Sequence, residues 1–406
     1  MKKTILYVEE YENALVDALI KRTDINLILL RFANCLHFSE EHCERTSSIP
    51  VFIIDKSLDT DSEAERLRGF LSELGARVDF FYNDSEFNQE YIQKIARMLG
   101  LPGALTEAQA HAVRDKVRMK EFIRSIGYRH MDYRQLYSLE DAKAYAQLQG
   151  YPIIVKWKSG VSSIEVYRVE NEFQLCSLKL DYSTGKYIAE QYCPHKIWCI
   201  DSIVSAGAVQ DVLYTWLPFT NLDFATDKKK FAQIAFGQKP ACLRFNPQRL
   251  VSDFVRGLGV YCGYLHLEAF ITDDGQPIIC EYAWRTPGEH MLSNFSLLYG
   301  VDIPDRVIDA LLQRPAGPLE SSDCCVADVF LPMKEGTIVK ISDIGQLKEC
   351  CDILGGEILY KKGDVLVSKH KYTDSTGWVQ VCCGMNGILS KIESVYEAFT
   401  LKVVDD

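Results

Sequence analysis

The sequence predicts an α/β protein in three parts: a parallel-sheet α/β domain at the N-terminus, a two-lobed mixed domain in the middle, and a small α/β C-terminal subdomain. Three observations carry this expectation. Over residues 1–103 short β-rich runs alternate with helical ones; the middle of the chain holds strand–turn–strand patterns dense in charged residues; and the tail from about 320 returns to β runs with two further helices. At 406 residues the chain is long enough for two or three domains of about 150 residues. Its 47% hydrophobic and 25% charged composition is that of an ordinary globular protein.

The N-terminal strands are expected at Thr4–Val8, Asn26–Leu30, Pro50–Ile54 and Arg77–Tyr82, with a helix over Asp61–Leu74 among the connections. No G-x-G-x-x-G follows any of them, so this domain reads as structural or substrate-lining rather than as a dinucleotide site. Leu99–Gly103 reads as a linker. The middle domain spans 104–318, with a small lobe at about 115–195 and a large lobe at about 196–318, and the C-terminal subdomain covers 319–406.

In the small lobe Met119, Phe122, Ile123 and Ile126 recur at helical spacing, Gly127 closes the run, and Lys116 and Lys120 share the polar face. A β-rich stretch follows from Tyr151 to Tyr214, then a loop-rich segment to about Arg244, then a helix through Arg256 leading into two strands. Helices are expected near Ile344–Ile353 and Gly387–Thr400 in the tail.

Charge and composition exclude several function classes. With 56 acidic and 45 basic side chains the net charge is -11, the wrong sign for a chain that neutralises nucleic-acid phosphates or an anionic membrane. The opening Met1-Lys-Lys is followed by only four apolar or near-apolar residues before Glu9 and Glu10, so no signal peptide is expected. The longest weakly charged stretch, Ser202–Leu222, is interrupted by Gln210, Asp211 and Pro218, which argues against a spanning helix. Fourteen cysteines with no C-x-x-C pair read as reduced thiols in a cytoplasm. The adjacent pairs Cys324-Cys325, Cys350-Cys351 and Cys382-Cys383 suit one metal poorly, because neighbours on a strand face opposite ways.

The chemistry concentrates in three clusters. In Tyr264-Leu-His-Leu-Glu-Ala-Phe270, alternation puts His266 and Glu268 on one strand face and Leu265, Leu267 and Ala269 on the other. After Asp273-Asp-Gly275, the run Ile278–Arg285 aligns Glu281, Ala283 and Arg285 on one face. Pairing of the two strands through that turn would converge two carboxylates, a histidine and an arginine, the groups that hold a divalent cation on a polyphosphate and stabilise developing charge. Upstream, Tyr151–Val166 reads as a strand, a loop of Ser159, Gly160, Ser162 and Ser163, and a returning strand, with Lys156 on the face opposite Ile153 and Val155. Backbone N–H groups of such a loop and a strand lysine can cradle phosphates. The third cluster, Tyr187–Pro194, precedes the strand Ile197–Val204, and a chain reversal after Pro194 would leave backbone free to pair with a base.

In this order Lys116, Lys156, Glu190, Glu268, Glu281 and Arg285 resemble the ATP-grasp superfamily, and especially its carboxylate-amine ligases, over about Leu105–Leu312. The resemblance implies the α+β grasp, ATP and Mg²⁺ as cofactors with Mn²⁺ as a substitute, and an acylphosphate route from a small carboxylic or amino acid and an amine to an amide. It implies that Lys116, in Arg114-Asp-Lys116, and Lys156, in Tyr151–Lys156, hold phosphates together with Ser162 and Ser163. Glu190, Gln191, Tyr192 and Cys193 would recognise adenine, Glu268 and Glu281 would bind the metal, and Arg285 and His266 would serve catalysis. Three positions depart from the family pattern: a loop with few glycines around Gly160, Ile197 where a ribose-binding glutamate is expected, and Ala283 where many members carry a metal-binding asparagine. Dimers are common in related enzymes, so a homodimer is one assembly the resemblance allows, and the sequence leaves the oligomeric state open.

Two alternatives stand beside this reading. A biotin-dependent carboxylase shares the fold and the Glu289-His290 ending, but Thr286-Pro-Gly288 lacks the side-chain amide expected to hold bicarbonate. A non-catalytic nucleotide-binding module would fit Ile197 and the depleted loop, but not the retention of Glu268, Glu281 and Arg285.

Overall fold

The structure, a computed structural model, describes residues 2–33, 38–161, 163–219, 230–288, 290–367 and 374–404. Near the N-terminus β1 (Lys3–Glu9), β2 (Ile25–Phe32), β3 (Val51–Ile54) and β4 (Phe80–Asn83) form one parallel sheet in the order β3-β2-β1-β4. Its strands read as continuous apolar runs because both faces are covered. Ile5 and Tyr7 pack against the helix Ala14–Lys21, whereas Leu6 and Val8 pack against the helices Thr60–Glu73 and Gln89–Met98. The fourth strand is shorter than the expected Arg77–Tyr82. Asp79 binds the N–H of Thr4 with its carboxylate and the Thr4 carbonyl with its own N–H, so regular pairing with β1 starts only at Phe80. The linker Leu99–Gly103 is tied to this sheet, with the Phe81 N–H donating to the Pro102 carbonyl at 2.7 Å. Gly103 sits at φ +94°, and a Cβ there would lie 2.5 Å from the Phe81 carbonyl oxygen, so the close approach requires glycine.

The small lobe is built on β5 (Tyr133–Leu136), β6 (Ile153–Trp157), β7 (Val166–Val169) and β8 (Tyr187–Gln191), ordered β5-β8-β6-β7 and antiparallel. Its lysine helix, Lys116–Ser125, is started by Asp115, whose carboxylate accepts from the N–H groups of Val117 and Arg118. The face carrying Lys116 and Lys120, which the spacing marks as polar, is turned inward: both lysines are buried, 4% and 1% exposed.

The large lobe is an antiparallel sheet with β9 (Ile197–Ser205), β10 (Ala208–Leu217), β11 (Phe231–Phe236), β12 (Gly263–Ile271) and β13 (Pro277–Ala283). β11 falls inside the segment expected to be loop. Its sequence, Phe-Ala-Gln-Ile-Ala-Phe, lacks clean alternation because it is buried in the sheet interior on both sides. β8 and β9 lie in different sheets, so residues 192–196 are the connection that crosses from lobe to lobe.

The C-terminal segment adds β14 (Cys324–Leu331), β15 (Gly336–Ile341), β16 (Gly355–Ile358), β17 (Val365–Leu366), β18 (Gly377–Gly384) and β19 (Leu401–Val404). Three of these extend the large sheet, whose full order is β13-β12-β9-β10-β11-β14-β18-β16; β17, β15 and β19 form a small sheet of their own. The two expected tail helices are present as Ile344–Cys350 and Ile388–Ala398. Among the described residues no helix is long and apolar enough to cross a membrane.

Candidate active site

The site is a cleft of about 350 Å³ where the small-lobe sheet faces β9, β12 and β13. Strand register builds its floor. β12 pairs with β13 so that Glu268 stands opposite Glu281 and His266 opposite Ala283, and with β9 so that Glu268 also stands opposite Cys199. The convergence expected of the strand pair therefore occurs, and Cys199 completes a row of three side chains across three strands.

Lysines from the small lobe reach down to these acids. Glu281 is paired with Lys116 at 3.1 Å and accepts from Lys156 at 2.8 Å; Lys156 also lies 2.9 Å from Glu190, whose other oxygen is 2.9 Å from Lys120. The result is a ladder, Lys116–Glu281–Lys156–Glu190–Lys120, that joins the helix Lys116–Ser125, β6, β8 and β13. Burial alone would raise the Glu281 and Glu190 carboxyls, but the flanking lysines hold both below their ordinary range. Burial works against the Lys156 charge, yet Glu190 and Glu281 keep its pKa well above that of a free lysine. Both Glu190 oxygens face lysines.

Arg285 is not on the strand face of Glu281, as alternation predicts. β13 ends at Ala283, and Arg285 lies in the following loop. Its Nε donates to Glu86 at 2.7 Å, and that pair holds Arg285 charged against burial and the Glu86 carboxyl low. The loop is fastened to the N-terminal domain on both sides of the arginine. Asp84 accepts from the Thr286 N–H at 2.7 Å and from its hydroxyl at 2.6 Å, while Gln89 donates to the Trp284 carbonyl at 3.3 Å.

His266 Nδ1 contacts Asp201 at 2.7 Å and its Nε2 lies 3.5 Å from Glu268. Burial opposes its charge, but Asp201 raises its pKa to about 9. Asp201 is in turn bonded by the Tyr264 hydroxyl at 3.1 Å.

The small-residue loop is folded on itself. The Gly160 carbonyl accepts from Lys116 Nζ at 2.7 Å and the Ser159 carbonyl accepts from Arg114, so carbonyls rather than N–H groups face the cations. Ser163 lines the cleft with φ +57°; Ser162 lies outside the described residues. Gln191, Tyr192, Cys193 and Ile197 line the cleft at the crossing between lobes. Sequence reasoning missed Glu86, Asp201, Cys199 and the inward turn of Lys120. Only Lys120 carried a signal, its position one helical turn beyond Lys116.

Comparison with known proteins supplies the frame for this geometry. No family model matches the chain. The alanine–anticapsin ligase of Bacillus amyloliquefaciens is 27% identical over 288 residues, 63% of this chain and 59% of that protein, so the chain spans about three-fifths of the length of that relative. The L-arginine-specific L-amino acid ligase of Bacillus subtilis is 20% identical over 305 residues, 72% of each chain. The crystal structure of an L-amino acid ligase from Bacillus licheniformis superposes with a TM-score of 0.76 at 17% identity, covering 100% of this chain and 99% of that one. The chain has the ATP-grasp fold and is similar in sequence to these ligases. The two lobes of its ATP-grasp fold are the β5–β8 sheet and the sheet holding β9, β12 and β13, and the charged ladder spans the seam between them. The donors present fit a hard cation in an ATP-grasp site: Glu268 and Glu281 are carboxylates placed directly opposite one another on neighbouring strands.

Proposed function

We propose that the chain is an ATP-dependent carboxylate-amine ligase that joins a small carboxylic or amino acid to an amine through an acylphosphate, releasing ADP and phosphate. The observation that carries this reading is the ladder of three buried lysines and two carboxylates across the cleft, with Arg285 held beside it from the N-terminal domain. Relatives named for ligating amino acids support the choice of an amino acid as one substrate.

In this reading Lys116 and Lys156 exchange Glu281 for phosphate oxygens when nucleotide enters. Glu281 and Glu268 would hold a Mg²⁺ ion, or Mn²⁺ in its place, and the cation would supply charge neutralisation of the polyphosphate. Glu190 stays between Lys120 and Lys156 and fixes the height of the Lys156 ammonium, while the backbone of Gln191–Cys193 meets the base. Ser162 and Ser163 belong to the loop over the phosphates. Arg285, oriented by Glu86, faces the acyl group and stabilises negative charge on its oxygens as the amine attacks. His266 serves the reaction from beside Glu268. The enzyme works as a cytoplasmic homodimer.

The test is phosphate release from ATP with purified protein across a matrix of amino acids and small amines. Release should require a carboxylate and an amine together, with at most slow leakage from the carboxylate alone. Turnover that needs biotin and bicarbonate, or tight ATP binding with no turnover across the matrix, would overturn the proposal.

A further inference from the structure

One group of side chains in the cleft is unlike the hard-oxygen donors that serve MgATP. Cys199 Sγ, a ring nitrogen of His266 and a carboxylate oxygen of Glu268 all lie within 4.8 Å of one another. They come from two adjacent strands whose register sets Cys199 opposite Glu268, so the grouping is built by the sheet rather than by a loop. Asp201 binds His266 Nδ1 at 2.7 Å and is itself held by Tyr264, which fixes the ring with Nε2 toward Glu268. A carboxylate behind a histidine ring is the arrangement that orients an imidazole for a metal. Two donors each about 2.0–2.1 Å from one tetrahedral ion sit about 3.3 Å apart; Nε2 and the Glu268 oxygen are 3.5 Å apart. Opposite His266 on β13 stands Ala283, which offers no donor of its own.

We propose that His266 Nε2, Glu268 and Cys199 Sγ bind one divalent transition ion of the zinc class, with a fourth position open to the cleft. Nitrogen and sulfur donors select such an ion over Mg²⁺, and a fourth open position gives a site that accepts water or a substrate atom. Ligation releases the thiol proton of Cys199 and the Nε2 proton of the His266 imidazolium to solvent. The site shares Glu268 with the nucleotide cation of the proposed ligase reaction, so a bound transition ion and the nucleotide-linked Mg²⁺ compete for one carboxylate.

The experiment uses the full chain, freed of metal by chelation, with ZnCl₂ at one equivalent and no nucleotide. X-ray absorption at the zinc edge should show one sulfur among nitrogen and oxygen neighbours, and a hundredfold excess of Mg²⁺ should leave it in place. Cys199→Ser should remove the sulfur from that shell, and Asp201→Asn should weaken zinc affinity by about ten- to a hundredfold. If Cys199→Ser does not fold, His266→Gln carries the test and should lower affinity at least as much as Asp201→Asn. A shell with no sulfur or with several, zinc displaced by Mg²⁺, or affinity unchanged in His266→Gln would overturn the proposal. Because no nucleotide is present, failure here leaves the ligase reading standing, and failure of the ligase reading leaves this one.

Discussion

Lys156 on β6 donates to Glu281 on β13 at 2.8 Å, so the cation of one lobe is neutralised by an acid of the other. The pair sits among buried groups, and Lys156 is shared with Glu190. Removing it leaves Glu281 with Lys116 alone and Glu190 with Lys120 alone. Lys156→Ala is expected to lower stability and to weaken ATP binding at least tenfold. Chemical denaturation and calorimetry check the two effects separately; unchanged nucleotide affinity would defeat the phosphate role.

Glu281→Gln keeps side-chain volume but removes the charge that faces Lys116, Lys156 and, in the proposed reaction, Mg²⁺. Turnover should be lost while the circular dichroism spectrum is retained. Full activity would show that the cation is held elsewhere.

Arg285 and Glu86 form a second test. Loss of a donor that acts on developing charge typically costs about a hundredfold to a thousandfold in rate, so Arg285→Ala should depress kcat to that degree with ATP binding little changed. Glu86→Gln leaves the guanidinium in place but loosens its orientation. It should give a smaller fall in kcat, and a mere packing role for Glu86 would instead lower Tm and leave kcat untouched.

The Asp201–His266 pair links stability to pH. Its effect raises the folded-state pKa from 6.5 to about 9, against burial, which pushes the other way. A raised pKa means that the protonated form is favoured by folding, so this stabilisation is full below about pH 6.5, falls as pH rises through 9 and is absent above. For the metal-free chain the unfolding free energy should fall by on the order of 3 kcal/mol across that window, and the fall should vanish in His266→Gln. Urea melts at several pH values measure it.

Much of this was legible in the sequence because it rests on short-range order. Alternation in Tyr264–Phe270 and Ile278–Ala283 places His266, Glu268 and Glu281 on one strand face, and the Asp273–Gly275 turn brings those strands together. What was not legible depends on contacts far apart in the chain. Glu86 meets Arg285 across 199 positions, and Asp201 meets His266 across 65, with no local periodicity to mark either. Alternation puts Arg285 on the strand face of Glu281 only if it is carried two residues past Ala283, where the strand ends. β11 carries no clear signal because a strand buried on both faces shows no alternation, and the spacing that puts Lys120 on a polar face with Lys116 does not show that this face turns inward.

The pairing of β11 with β14, six residues on each strand from Phe231↔Phe330 to Phe236↔Cys325, bears on how this chain can be divided. A fragment that stops at residue 318 would keep every lysine and acid of the cleft yet strip the neighbour from Phe231–Phe236. That would bare an apolar edge whose free N–H and C=O groups invite other chains to add on. Such a fragment should collect in inclusion bodies rather than behave as a minimal enzyme, so the last 88 residues, 319–406, act as a built-in guard against self-association as well as a scaffold.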